Sequence, residues 1–511
     1  MRKVAWLALT AAGLAGGFSA CGGDSNPSSV FDASDDGNGN GDTTLGDDGG
    51  GGDGGVDGCT GPFCNLDSST TGDAKACTNL CLKQVSCPNA ADGGAVTTTI
   101  SGTVYDPADQ VPLYNVAVYV PNAPLSPITH GATCDQCGAT LSGDPLVATL
   151  TDAAGHFVLQ NVPVDNNIPL VMQVGKWRRR IDISTVTACT DNPITDKTKT
   201  RLATKPQETS PDDDIPYIAL TTGGADALEC LPLKIGIDVG QFTTVAGGGR
   251  VNLYRGSGGA SITNIASATS FWADNGAAGT APLVDYDMVM LGCEGSTYPS
   301  EKPTAALQAM ESYANAGGRV FGTHFHYYWI QSNPSPSLWP ITATWNHAAS
   351  PTNQTNWPVL IDQSFPKGVA FAQWMLNNGG STTLGTFNIA ESRHDVDAVN
   401  NQPTNDPMST RWVYSNPQNP TSGNPKLVEY YSFNTPVFDA GVPDGGTQCG
   451  KVVFSDLHVA SGNSPGGTFP ANCTQQGGLT AQEKALEFLL FDLSSCIQND
   501  NQPPPPPVVV Q

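Results

Sequence analysis

Positive charge is scarce in this 511-residue chain, where 23 Lys and Arg stand against 47 Asp and Glu for a formal net charge of −24. That balance excludes a nucleic-acid surface and disfavours an electrostatic hold on an anionic membrane. After the first 21 residues no apolar run is long enough for a transmembrane helix. Gly247-Gly248-Gly249 lacks the Lys-Ser/Thr of a phosphate loop and reads as an ordinary loop. Cys134-Asp135-Gln136-Cys137 has no second CxxC beside it, which favours a local disulfide over zinc or redox work. Residues 22–73 have almost nothing to bury. They carry eleven Asp among Gly, Ser, Asn and Thr, with no Lys or Arg before Lys75. Such a stretch cannot offset its ordering entropy, so residues 22–75 are expected to form a self-repelling tether. Their Asp and Gly follow no fixed period of the kind that repeat-type calcium loops use.

What is present begins with a targeting segment, residues 1–21. Arg2 and Lys3 precede a short apolar stretch, and Phe18-Ser19-Ala20-Cys21 resembles a bacterial lipobox, with Phe where the pattern prefers Leu. The resemblance implies lipidation of Cys21. Gly22 and Gly23 after it, by similarity to enterobacterial lipoproteins, imply an anchor in outer-membrane lipid. Plain secretion after cleavage near Ala20 is the alternative. Thirteen further cysteines in an exported chain imply disulfides and one leftover thiol. Cys59 with Cys64, the cluster Cys77, Cys81 and Cys87, and Cys134 with Cys137 read as local staples. Cys293, at the end of a buried strand, is the choice for the free thiol.

Residues 76–225 read as a small all-β sandwich stapled by cysteines. Thr99, Ser101, Thr103 and Tyr105 alternate with Ile100, Gly102 and Val104, and Val116, Val118 and Val120 line one face of the next strand. ISGTVYDPADQVPLYNVAVYVPN followed by TDAAGHFVLQNVP resembles the carboxypeptidase regulatory-like domain, which implies a transthyretin-like binding or spacer module. Lys176-Trp177-Arg178-Arg179-Arg180 reads as a solvated hairpin edge, or as a grip on polysaccharide or an acidic partner. The segment from Pro211 to Pro216, with three Asp in a row, reads as a linker.

Residues 230–498 carry the periodicity of an α/β three-layer domain with a mostly parallel sheet, and 499–511 are a Pro-rich extended tail. Leu233 to Val239 reads as the first strand. Asp287 to Leu291 is a short buried strand. Ser300 is a candidate N-cap for a helix with Leu307, Met310, Tyr313 and Ala314 on one face, which stops at Gly317-Gly318. A second strand follows from Arg319 and breaks at Gly322-Thr323-His324. Residues 331–448 suggest hairpins and lid-like loops around a regular stretch from Gly368 to Leu376. Lys451 to Phe454 returns as a strand, and Thr480 with Glu483 forms a capping box before a helix. The order DMVMLGCEG, helix, GGRVFGTHFHYYW resembles the class I glutamine amidotransferase-like superfamily, and within it the ThuA-like branch.

In open α/β sheets, ligands bind beyond the carboxyl ends of strands. Three such ends are polar here: Cys293-Glu294, His324 with His326, and Asp456 with His458. The resemblance places His324 where glutamine amidotransferases have their nucleophilic Cys, His326 where a second elbow Gly is expected, and His458 at the late His. Ala460 stands where the orienting carboxylate is expected. Glutaminase activity is therefore not implied. His324, His458, Asp456 and Glu294 are the candidate catalytic residues, and His324, His326 and His458 the candidate ligands of a divalent metal. Packed histidines left from an ancestral site are the competing reading. His394 beside Asp395 in Glu391-Ser392-Arg393-His394-Asp395 is a further candidate without a place in the fold.

The leading expectation is a surface binding module for carbohydrate or a surface protein, catalytically silent and without a cofactor. The rival is a hydrolase or sugar-converting enzyme using His324 and His458, with a divalent metal as an option. The anchor is testable at once. Cys21→Ser should move the protein from the membrane to the soluble fraction on cell fractionation, and retention in the membrane would remove the lipobox from the account.

Overall fold

Alternating burial builds the first part of the fold. Seven strands follow in order: β1 (Thr99–Thr103), β2 (Ala117–Pro121), β3 (Pro145–Leu150), β4 (His156–Gln160), β5 (Ile168–Val174), β6 (Trp177–Ile183) and β7 (Asp191–Ile194). They make two small sheets, β4-β1-β7 and β3-β2-β5-β6. Ile100, Phe157 and Leu159 of the first share one buried cluster with Val118, Val120, Leu170 and Met172 of the second. The computed structural model describes residues 76–89, 96–347, 356–401, 408–415, 427–438, 447–458, 464–474 and 477–509. The expected signal segment, Cys21, the acidic tether, the Cys59/Cys64 pair and Ala460 lie outside them. The described residues belong to one compact unit, Gly61–Gln511.

Thirteen further strands are β8 (Ile218–Thr222), β9 (Phe242–Thr243), β10 (Val251–Arg255), β11 (Ala266–Ser267), β12 (Met288–Leu291), β13 (Arg319–Thr323), β14 (Ala343–Trp345), β15 (Trp357–Ile361), β16 (Thr386–Ile389), β17 (Val396–Val399), β18 (Thr410–Ser415), β19 (Val428–Thr435) and β20 (Gly450–Ser455). One large sheet runs β11-β10-β8-β12-β13-β20-β19-β18-β15-β16, with β9 beside β10. Pairings from β11 to β20 are parallel, and those beyond β20 are antiparallel. With the helices α1 (Thr304–Asn315), α2 (Pro366–Asn377) and α3 (Ala481–Ser494), this is an α/β domain on a mixed, mostly parallel sheet. The Thr480/Glu483 capping box is formed at α3.

Several local expectations are corrected. Leu233 to Val239 is not a strand. Leu228, Leu231 and Ile235 are buried at helical spacing around a short helix, Cys230–Lys234. A short apolar run does not distinguish the two periods. The strand expected there is supplied by β8, which the sequence placed with the small sheets. It lies between β10 and β12. The N-cap of α1 is Pro303, not Ser300, because a proline at 303 drives Lys302 out of the helical region (φ −123°, ψ 65°). The segment 331–448 is more than lids, since it provides the antiparallel half of the sheet.

The basic cluster and the supposed linker are corrected together. Arg178 and Arg179 are buried, not solvated. Arg178 Nε donates to the Asp212 carbonyl (2.9 Å), Arg179 pairs with Glu208 (3.1 Å), and Arg180 pairs with Asp212 (2.7 Å). The 211–216 segment is thus the acidic partner, inside the same chain.

The cysteines are corrected too. Cys77–Cys81 is local, but Cys87 pairs with Cys189, and the CxxC is not a staple. Cys134 pairs with Cys449 and Cys137 with Cys496, so the loop is fixed to the far end of the chain, and Cys230 pairs with Cys473. Cys293 is free and buried, as expected. These disulfides are those of a chain oxidised outside the cytoplasm. No helix among the described residues is long and apolar enough to cross a membrane. Nor does the Pro-rich tail extend freely, because Val508 bridges Thr140 in parallel.

The same loop carries His130, which sits between two carboxylates. Its Nδ1 meets Asp287 (2.6 Å) and its Nε2 meets Asp214 (3.0 Å). Burial opposes a charge on the ring, but the bonds to Asp214 and Asp287 outweigh it and raise the pKa above 6.5. The stabilisation is therefore full below the ordinary histidine range and is lost as pH rises through the raised value. Denaturant melts should show His130→Gln costing about 2 kcal/mol near pH 6, with the gap to wild type closing at alkaline pH. A pH-independent gap would mean the ring acts by packing alone.

Candidate functional site

Strand β13 ends at Thr323, and His324 turns the chain with φ +42°, a left-handed conformation that side chains enter at a cost of ~1–2 kcal/mol. A short 3-10 turn, His324–Tyr327, follows. The turn throws His324 out over the sheet edge toward β20, whose exit carries His458, and β12, whose exit carries Cys293. The Cys293 amide is held by Thr323 Oγ1 (2.9 Å). His324 Nδ1 lies 3.4 Å from Cys293 Sγ and 3.2 Å from His458 Nε2. These three donor atoms all lie within 4.8 Å of one another, and all three residues are buried.

Carboxylates stand behind both histidines. Glu391 Oε2 is 2.8 Å from His458 Nδ1, and Asp395 Oδ2 is 3.7 Å from His324 Nε2. Asp395 Oδ2 is buried, and the Asp456 carboxyl, whose pKa is raised, hydrogen-bonds to the Asp395 side chain. Its Oδ1 meets His347 Nδ1 at 2.8 Å. Arg393 Nη2 also approaches His458 Nδ1 (3.1 Å) and lies 3.6 Å from Glu391 Oε2. The two histidines titrate in opposite directions. Burial, and then the charge on His458, push His324 down to about 2. His458 is also opposed by burial, but its hydrogen bonds to Cys293 and Glu391 prevail and raise it to about 9. Without a metal, a neutral His324 faces a protonated His458 at pH 7.

Of the residues picked from sequence, His324 and His458 come together and three others do not join them as ligands. His326 receives the Trp329 indole N–H on Nδ1 (3.1 Å) and gives its Nε2–H to the Gly292 carbonyl (2.9 Å), so both nitrogens are used. Burial holds it neutral, at about 3. Glu294 forms a fully buried ion pair with Lys302 (2.7 Å) and accepts from the Ser257 amide (2.8 Å). Asp456 Oδ2 accepts from the Asp395 and Val396 amides (2.7 and 3.2 Å). Burial, then the charge of Asp395, raises its pKa well above the usual range. These three organise the turn, the β12 exit and the 391–397 segment. His394 bonds Asp397 (2.8 Å), and it is its neighbours Glu391, Arg393 and Asp395 that reach the site.

A carboxylate does face His458, that of Glu391, and a thiol, that of Cys293, stands on the adjacent strand beside His324. Cys293 and Glu294 both lie at the sheet edge expected from the sequence, and of the two it is Cys293 that lies beside His324, while Glu294 is paired with Lys302. Glu391 carried no signal of its own, because only the antiparallel half of the sheet delivers it.

No protein-family model and no curated protein matches the chain. Among solved structures, a putative ThuA-like protein from Bacteroides uniformis is distantly similar at 13% identity, covering 47% of this chain and 82% of that one, with a TM-score of 0.23. Two type II cohesin–X-dockerin complexes from Acetivibrio cellulolyticus match at 16% and 14% identity. They cover 28% and 30% of this chain and 85% and 88% of those, each with a TM-score of 0.15.

The Glu391 contact has a direct spectroscopic test. In chelator-treated protein, the His458 ring should titrate by NMR near 9, and Glu391→Gln should lower that by about one unit, or ~1.4 kcal/mol. An unchanged titration would show that Glu391 does not support the charge.

Proposed function

We propose that the protein is an extracytoplasmic metal-dependent hydrolase, with Cys293, His324 and His458 as the three protein ligands of a zinc-like ion. The observation that carries this reading is the spacing of the donors. Bonds of about 2.0–2.1 Å to imidazole and 2.3 Å to thiolate, at tetrahedral angles, separate nitrogen from nitrogen by ~3.3 Å and nitrogen from sulfur by ~3.6 Å. The separations at His324 are 3.2 and 3.4 Å, and all three donors lie within 4.8 Å of one another. A carboxylate faces the far nitrogen of each histidine, the arrangement that fixes tautomer and orientation in zinc sites. Cys293, His324 and His458 would hold such an ion, which would supply Lewis acidity and an activated water for hydrolysis of a carbonyl or phosphoryl group. The reading extends the enzymatic expectation over the silent binding module, because a buried thiol completes a ligand set that histidines alone left open. Lipidation at Cys21 would hold this site at the envelope.

His458 must shed its Nε2 proton to bind the ion, so the apparent affinity should climb as pH rises toward 9. Elemental analysis after mild purification should find about one equivalent of zinc or a similar metal in wild type and none in His324→Ala with His458→Ala. Glu391→Gln should weaken binding by about 10–100-fold. A metal-free wild type that takes up no zinc, yet whose Cys293 is alkylated rapidly and only while His458 is present, would overturn the metal reading. It would point instead to a thiol nucleophile paired with His458 and Glu391.

A further inference from the structure

The Cys134–Cys137 loop, the turn between β5 and β6 and the Pro-rich tail enclose a cavity of about 480 Å³, well within the roughly 300–1,000 Å³ of small-molecule sites. We propose that this cavity binds a small organic acid, its carboxylate on Arg178 and its aliphatic body against the tail. The walls are apolar where Ile128, Leu141, Leu150, Pro504 and Pro505 line them. Charged groups on the wall are Lys176 and Arg178 against Asp135. Lys176 is already committed, since its ammonium meets Asp135 (2.8 Å), the Thr129 carbonyl (2.8 Å) and Thr133 Oγ1 (2.6 Å).

Arg178 is not saturated. It is 3% exposed, with Nε on the Asp212 carbonyl and Nη1 on the Ser126 carbonyl (both 2.9 Å). Nη2 makes no hydrogen bond among the described residues. The nearby Asp212 carboxylate is taken by Arg180 at 2.7 Å. Nη2 therefore remains accessible at the cavity wall, where an anionic acceptor would meet its N–H groups best. The cavity offers the space for one. Its frame is rigid, because Cys134–Cys449 and Cys137–Cys496 fix the loop and Cys496 is itself part of the wall. Apolar walls with one available guanidinium select a monocarboxylate with an aliphatic chain over a sugar or a polyanion. The site involves none of Cys293, His324 or His458 and stands independently of the metal reading.

Calorimetric titration of the intact protein with sodium octanoate and with neutral octanamide tests the assignment. Octanoate should bind once per chain and at least tenfold more tightly than octanamide. Arg178→Gln should abolish that preference. Because Arg178 also secures Asp212 and Ser126, its loss risks the fold. Leu141→Trp therefore narrows the cavity with the guanidinium left in place, and should cut octanoate affinity at least tenfold at unchanged melting temperature. His324→Ala with His458→Ala should leave octanoate binding intact. Equal affinity for the two probes, no heat from either, or full octanoate binding in Leu141→Trp would overturn the proposal. So would loss of octanoate binding in the double histidine variant, which would move the acid to the metal site.

Discussion

Strand β13 lies between β12 and β20, and the parallel register pairs Leu291 with Gly322 and Thr323 with Ser455. Three neighbouring strands therefore stop at nearly the same level. Each exit then presents a side chain within a few residues of its end: Cys293, His324 and His458. Adjacent strands are separated by about 4.8 Å, too far for donor atoms that stood straight up from each strand to meet. The left-handed turn at His324 closes that gap by leaning the middle side chain between the other two. The site is thus a consequence of register plus one strained residue. The same turn sends His326 back beneath Gly292, where hydrogen bonds on both nitrogens lock the turn instead of serving a ligand.

Loss of register is resisted from outside the sheet. The 127–137 loop of the small-sheet region is laid across the starts of β12 and β20 and the end of α3. Cys134–Cys449 and Cys137–Cys496 span 315 and 359 residues, and in the chain-entropy model a cross-link of that length removes about 6 kcal/mol of unfolded-state freedom. Contact is close enough to exclude a side chain at two points. A Cβ at Gly175 would lie 1.7 Å from the Ser494 carbonyl, and one at Gly317 would lie 2.2 Å from the Thr133 carbonyl. Apolar packing continues across the same seam, with Trp177 against Phe491 and Tyr114 stacked on Phe488. The small sheets therefore act as a brace on the α/β domain, a role that a spacer on a linker would not have.

Much of this was legible in the sequence where periodicity and caps speak locally. Alternation marked β1 and β2, the 3.6-residue stripe marked α1, the capping box marked α3, and the glycine pair marked the return into β13. What failed was long-range pairing. CxxC spacing looks local, yet nothing in four residues reveals that partners wait three hundred positions later. Three consecutive Asp look solvated until the arginines of β6 are seen to need them. The site was half visible for the same reason. Strand ends named the edge, but Cys293 and Glu294 are neighbours in sequence and point to different tasks. Glu391 and Asp395 arrive from a segment that only the antiparallel strands position.

Four acids stand behind the donors, and their protonation decides how the site is used. Burial lifts Glu429 to about 8, an effect only partly offset by its bond from Ser392 Oγ (2.6 Å), and burial together with the charge of Asp395 raises Asp456 well above the usual carboxylate range. At neutral pH these two are hydrogen-bonding scaffold more than charge. Asp456 holds the amides of Asp395 and Val396, while Glu429 holds Ser392 and, through its backbone carbonyl, the Asp456 amide. Glu391 is different, because its bond to His458 draws it below the usual carboxylate range and it is nearly half exposed. A fully ionised cluster would attract any cation indiscriminately and would repel itself when empty. On the proposed metal reading, keeping the deeper acids protonated would leave selectivity to one thiol and two imidazoles, a donor set that suits a borderline-soft ion better than calcium or magnesium.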